Sequence, residues 1–170
     1  SEHVLRLTRD GAEAIHLLAD EYGLENAEKP IFVKERLKEI HLKLVDWGMR
    51  DQITLIAGGG IAMAEHVAKL IICGADLLSI DIPLLVAMEC RVCRRCKEGI
   101  SCPVELDSVD PAWGAGRIKN LLASWHNQLI EILGAMGIRE VRRLRGEMGR
   151  AMFYHDLERD VFAVLGKKGQ

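Results

Sequence analysis

Ile53-Thr54-Leu55-Ile56-Ala57-Gly58-Gly59-Gly60 is the stretch on which the fold turns. Its first five residues are continuously apolar or β-branched, the composition of a strand buried on both faces rather than one that alternates against water. Three glycines end the run. Residues 62–72 follow as a helix, and Gly74-Ala75-Asp76 turns the chain into a second short strand at 77–80. Strand, glycine loop, helix, strand at this pitch is a βαβ unit. It predicts a parallel sheet whose ligands sit at the C-terminal ends of the strands.

The pattern extends in both directions. Upstream, residues 4–10 read as the end of a helix, and 14–19 (Ala-Ile-His-Leu-Leu-Ala) have strand length and an apolar character. Residues 20–30 form a polar loop with Gly23, Asn26 and Pro30 as breakers. Over 31–47 the apolar residues Val33, Leu37, Ile40, Leu44 and Trp47 recur every three or four positions, as on an amphipathic helix, with Gly48 as its C-cap. Downstream, residues 114–134 carry Ile118, Leu121, Leu122, Trp125, Leu129 and Leu133 on one helical face. Arg139, Arg142, Arg143 and Arg145 predict a basic helix that stops near Gly146, and 152–165 show a weaker helical pattern.

Composition narrows the function classes. With 170 residues, 49% hydrophobic and 28% charged, the chain has the makeup of a soluble globular protein. A formal net charge of −2 gives no electrostatic case for nucleic acid. No apolar run approaches the roughly 20 residues that span a bilayer, so no membrane insertion is expected and a cytoplasmic location is.

The chemistry concentrates in Cys90-Arg-Val-Cys93-Arg-Arg-Cys96-Lys-Glu-Gly-Ile-Ser-Cys102-Pro103. Buried structural cysteines scatter singly, so four in one short run point to metal. The spacing C-x2-C-x2-C-x5-C-P is close to the ferredoxin run C-x2-C-x2-C-x3-C-P, proline included. Tetrahedral zinc usually takes two CxxC knuckles with a longer spacer, although zinc and redox-active thiols both remain open on spacing alone. Disulfides are disfavoured by the odd fifth cysteine, Cys73, and by the lack of a secretory segment. Arg91, Arg94, Arg95 and Lys97 would favour thiolate and offset the charge of a thiolate-ligated centre.

Read together, Gly58-Gly59-Gly60-Ile61, Gly74-Ala75-Asp76, the run from Pro83 to Cys90 and Cys102-Pro103-Val104 resemble the flavin domain of glutamate synthase. The resemblance is greatest to the C-terminal part of the glutamate-synthase-related proteins. Arg50-Asp51-Gln52-Ile53-Thr54-Leu55-Ile56 and Leu133-Gly134-Ala135-Met136-Gly137-Ile138-Arg139 extend it over nearly the whole chain. It implies an α/β fold: the last three βα units, strands six to eight, of a (β/α)8 barrel over 1–89. A cysteine-rich cluster loop at 90–111 and a helical extension at 112–170 would follow. A barrel piece with five strands missing has open edges and an uncovered inner face. The remaining barrel segment, another subunit or self-association is therefore expected, together with a redox partner.

The resemblance also implies cofactors and an activity. FMN would lie at Gly58, Gly59, Gly60 and Asp81, where barrel phosphate sites fall after the last two strands. A tight turn requiring positive φ is the other reading of those glycines. Two departures bear on the flavin. Ala62-Met63-Ala64 stands where the family commonly has Arg-Thr-Gly, and Ser79-Ile80-Asp81-Ile82 where it has Gly-x-Gly-Thr. In glutamate synthase C-x5-C-x4-C-P holds a 3Fe–4S cluster. Cys90, Cys96 and Cys102 match it with one inserted residue, and Cys93 adds a fourth thiolate, so a 4Fe–4S cluster is expected over 3Fe–4S. The implied role is a module of an oxidoreductase of glutamate metabolism, relaying electrons between cluster and FMN. The alternative is a non-catalytic iron–sulfur electron-transfer or scaffold subunit with a degenerate flavin site.

No catalytic residue can be named from the sequence. His16, at the ligand end of its strand beside Asp20, is more simply a core or loop histidine than a contact. His66 and His126 read as packing or surface positions, Trp125 and Cys73 as core. The arginines from Arg139 to Arg150 read as an ion-paired, solvated face.

Overall fold

The structure is a computed structural model, and it describes residues 2–147. Its centre is a three-stranded parallel sheet, β1 (Ala14–Leu18), β2 (Thr54–Gly58) and β3 (Leu77–Ser79), in the order β1-β2-β3. His16 lies opposite Ile56, Leu18 opposite Gly58, and Gly58 opposite Ser79. Helix α2 (Val33–Asp46) connects the first two strands and α3 (Ala64–Ile72) the second two. The predicted βαβ pattern is thus present twice, and the parallel sheet with it.

Side chains alternate along a strand, so each face has its own fate. Ile15, Leu55 and Ala57 point to the helices and join Leu37, Ile40, Leu44 and Leu70 in one core. On the opposite face Leu18 is 70% and Leu77 55% exposed, and His16 and Ser79 are exposed beside them. The composition of β2 suits two buried faces, yet the described residues cover only one. This half-covered sheet is consistent with a partial barrel.

Two polar contacts set the path beyond β3. Asp81 accepts a 2.6 Å hydrogen bond from the Ile82 N–H and caps a short helix, α4 (Ile82–Ala87), which the sequence reading did not anticipate. Asp110 accepts from the N–H groups of Ala112 and Trp113, and Pro111 follows it at the start of α5 (Pro111–Ala135). An aspartate cap with proline in the first turn is a strong helix start. Helix α5 packs on α3: Trp125 enters the main core, while Leu129, Ile132 and Leu133 pack with Ala68 and Ile72. Helix α1 (Glu2–Arg9) adds Val4 to the main core.

One expectation is corrected. The basic segment is a single 3-10 turn, Val141–Leu144, and not a helix to Gly146. Its anchors are Ile138 and Leu144, packed against Ala68 and Ile72, and a spacing of six does not repeat on one helical face. Gly137 and Gly146 take positive φ at either end, and the Gly146 N–H donates to Ile72 O at 3.1 Å. The pattern at 152–165 lies outside the described residues.

Candidate metal centre

The cysteine run leaves the C-terminal end of α4 and crosses the outside of the molecule before α5 begins. Apart from a 3-10 turn at Arg95–Glu98 it has no regular structure, and residues 91–101 are all exposed. Its backbone is nonetheless specific. Four non-glycine residues have positive φ among the described residues, Glu89, Val92, Arg94 and Glu105, and all flank or lie within this run. Left-handed backbone costs an L-residue about 1–2 kcal/mol, and such conformations cluster where function needs them.

Along that backbone the four expected cysteines border one hollow. Cys90, Cys93, Cys96 and Cys102 line a single hollow of about 470 Å³, with Arg91 and Arg94 on its wall. Among the described residues, no three Cys, His, Asp or Glu groups converge closely enough to ligate one metal ion. A zinc ion would draw its sulfurs to about 2.3 Å from a common point. In an iron–sulfur cluster each of four thiolates would bind a different iron. The donor set is that of a thiolate-ligated centre.

Backbone amides are turned toward the sulfurs. The Val92 N–H lies 3.4 Å from Cys90 Sγ, in hydrogen-bond geometry. The Cys102 thiol is held below its ordinary range, first by the N–H of Leu106 and then by that of Val104, against burial and Asp107, with Glu105 N–H adding to the effect. Left-handed residues create such concave N–H nests for anions and sulfurs. The donors that favour thiolate at Cys102 are thus backbone groups, not the arginines that the sequence brings forward.

The glycine turn sits at the C-terminal end of β2, on the same end of the sheet. A Cβ on Gly58 would stand 3.1 Å from His16 Nε2 and from Ser79 Cβ. Gly59 and Gly60 have φ of 94° and 66°, and a Cβ would fall 2.3 Å from Ala19 O and 2.6 Å from Gly23 Cα. Both glycines are required because the chain's own 19–23 loop lies against them. Asp81 is turned to its own helix as a cap, and residues 62–64 supply no cation. Helix α3 begins at Ala64 without a side-chain cap, and the Ala62 N–H donates to His66 Nδ1 at 3.1 Å. The cations that share a hollow with Gly59 and Gly60 are Lys34 of α2 and Lys69 of α3.

The remaining candidates take structural places. Trp125 and Cys73 are buried in the core, His16 lies on the open sheet face, and His126 is exposed. Arg142 pairs with Glu140, and Arg145 with Asp76 and Asp51. Arg150 lies outside the described residues.

Sequence reasoning missed a buried network at the other end of the strands. Arg50, 6% exposed, donates to Ile53 O, Gly74 O, Asp76 Oδ2 and His41 Nδ1 at 2.7–3.0 Å. Asp76 also accepts from the Leu55 N–H and from Arg145. Burial, then Arg50 and Arg145, lower the His41 pKa. Burial alone would raise that of Asp76, but the Leu55 N–H, Arg145 and Arg50 prevail and lower it. The sequence signal was Arg50 ahead of one strand and Asp76 ahead of the next.

Comparison with known proteins gives a consistent result. A family described as a conserved region in glutamate synthase matches residues 18–139. The chain is 35% identical over 125 residues to an archaeal glutamate synthase [NADPH] of Methanocaldococcus jannaschii, covering 69% of this chain and 24% of that protein. To the protein of the same description in Archaeoglobus fulgidus it is 34% identical over 143 residues, 79% of this chain and 28% of that protein. An archaeal-type glutamate synthase [NADPH] of Thermotoga maritima is 32% identical over 131 residues, 72% and 26% respectively. The chain spans about a quarter of the length of these curated relatives.

Proposed function

Because the chain belongs to the glutamate synthase family, we propose that it is the iron–sulfur-bearing module of a glutamate-synthase-type oxidoreductase. The observation that carries this reading is the single hollow shared by Cys90, Cys93, Cys96 and Cys102. These residues would hold the cluster, and a fourth thiolate favours 4Fe–4S over 3Fe–4S. When bound, the cluster supplies one-electron transfer. The chain's own residues do the rest. The Val92, Val104 and Leu106 amides meet the Cys90 and Cys102 sulfurs, and Arg91 and Arg94 offset negative charge at the wall. Pro103 stiffens the exit from the last ligand.

We place β1, β2 and β3 as strands six to eight of a (β/α)8 barrel over 1–89, with the cluster loop at 90–111 and the extension at 112–170. The bare sheet face supports that placement, since strands closing a barrel would cover it. The rest of the barrel comes from further polypeptide or another subunit. In the whole protein, electrons from NADPH, which the relatives' names carry, would pass by way of cluster and FMN to the imino acid formed from 2-oxoglutarate and ammonia with loss of water, giving glutamate.

FMN would adjoin Gly58, Gly59, Gly60 and Asp81, where Lys34 and Lys69 line the hollow beside Gly59 and Gly60. A second reading has its own observation. The glycines are committed to residues 19–23 and the Asp81 carboxylate to its helix, which favours an electron-transfer or scaffold subunit without flavin. The visible spectrum of the full protein, purified anaerobically, separates them. A broad cluster shoulder with flavin released on denaturation, and NADPH-dependent glutamate formation, is the result for the enzyme. A cluster shoulder with no flavin and no turnover is the result for the second reading. A colourless protein overturns both.

A further inference from the structure

The cysteine run is exposed and its backbone is held in unfavourable left-handed conformations, so something outside the run must fix it. At its entry, Arg117 of α5 donates to Ala87 O at 2.8 Å, just before Glu89 and Cys90. Within the run itself, the ion pair of Arg94 with Glu21 is the one salt bridge to the rest of the molecule among the described residues. Arg94 stands between Cys93 and Cys96, has φ of 61°, and lines the hollow with them. Glu21 lies in the loop after β1, whose Asp20 carboxylate accepts from the Tyr22 and Leu24 N–H groups at 2.9 Å. The same loop presses on Gly59 and Gly60. It is therefore a stiff bracket, with the glycine turn on one side and the cysteine run on the other.

We propose that Glu21 and Arg94 are positioning residues for the cluster: their ion pair tethers the Cys93–Cys96 arm to the sheet and sets the charge at the hollow's wall. This rests on the cluster reading above. The two halves of the pair have opposite electrostatic effects. Reduction adds one negative charge to the cluster, so the Arg94 cation favours the reduced form and the Glu21 carboxylate opposes it. A tether without an electrostatic role would loosen the loop equally whichever partner is lost.

The test uses the full protein, reconstituted anaerobically, in four forms: wild type, Glu21→Gln, Arg94→Gln and Arg94→Lys. Potentiometric titration with dithionite is expected to raise the midpoint potential in E21Q and lower it in R94Q, with R94K near wild type. Iron loss to a chelator is expected to quicken roughly two- to fivefold in E21Q and R94Q, the scale of a half-exposed ion pair. Equal potentials and equal rates in all four, or shifts of the same sign in E21Q and R94Q, overturn the proposal while a clustered wild type leaves the cluster reading standing. A wild type without iron and sulfide overturns both.

Discussion

Cys93 is the residue that the proposed 4Fe–4S centre needs beyond Cys90, Cys96 and Cys102. If it binds the fourth iron, Cys93→Ser should leave a three-iron cluster, paramagnetic when oxidised, whereas Cys90→Ser and Cys102→Ser should abolish stable assembly. Electron paramagnetic resonance of the anaerobically purified variants reads the difference. At the opposite end of the strands His41 and Asp76 make a prediction about pH. Both have lowered pKa values in the fold, so both bind protons more readily when unfolded. Each contributes stability at neutral pH that is lost on acidification, His41 as pH falls below its unfolded value of about 6.5, Asp76 below about 4. Calorimetry of the full protein should show Tm falling from pH 7.5 to 5.5. His41→Gln should flatten that limb and leave the more acidic one.

Among the elements, the glycine turn gives the cleanest test of what the glycines are for. In Gly59→Ala the new Cβ meets Ala19 O, and the left-handed backbone adds its own cost of about 1–2 kcal/mol. The substitution should therefore destabilise the protein whether or not flavin is present, seen as a lowered Tm in flavin-free preparations. A loss confined to flavin binding would mean that the 19–23 loop is not what requires glycine. The same contrast shows what could be read beforehand. β2 and α3 were legible because apolar runs and helical spacing report local burial directly. Helix α4 was passed over although Asp81 followed by Pro83 is a start signal, because its six residues leave no room for a repeat. The basic segment misled because arginine spacing imitated a helix while Ile138 and Leu144 decided the path. That the four cysteines border one hollow follows from their closeness in the sequence. Their left-handed neighbours and the Glu21–Arg94 pair were not legible, since both depend on tertiary position.

At the scale of the whole molecule, a sheet with Leu18 and Leu77 in the open calls for a cover. Expressed as residues 1–170 alone, the chain should self-associate, and a polypeptide that completes the proposed barrel should return a defined species. Sedimentation velocity with and without that polypeptide checks this. No described helix is long and apolar enough to cross a membrane. The centre of the proposal remains the cysteine hollow, and elemental composition tests it most directly. Iron, acid-labile sulfide and zinc should be quantified together in the full protein purified without oxygen. The expected result is about four irons and four sulfides per chain, falling to about three irons in Cys93→Ser. One zinc per chain with no labile sulfide would contradict it.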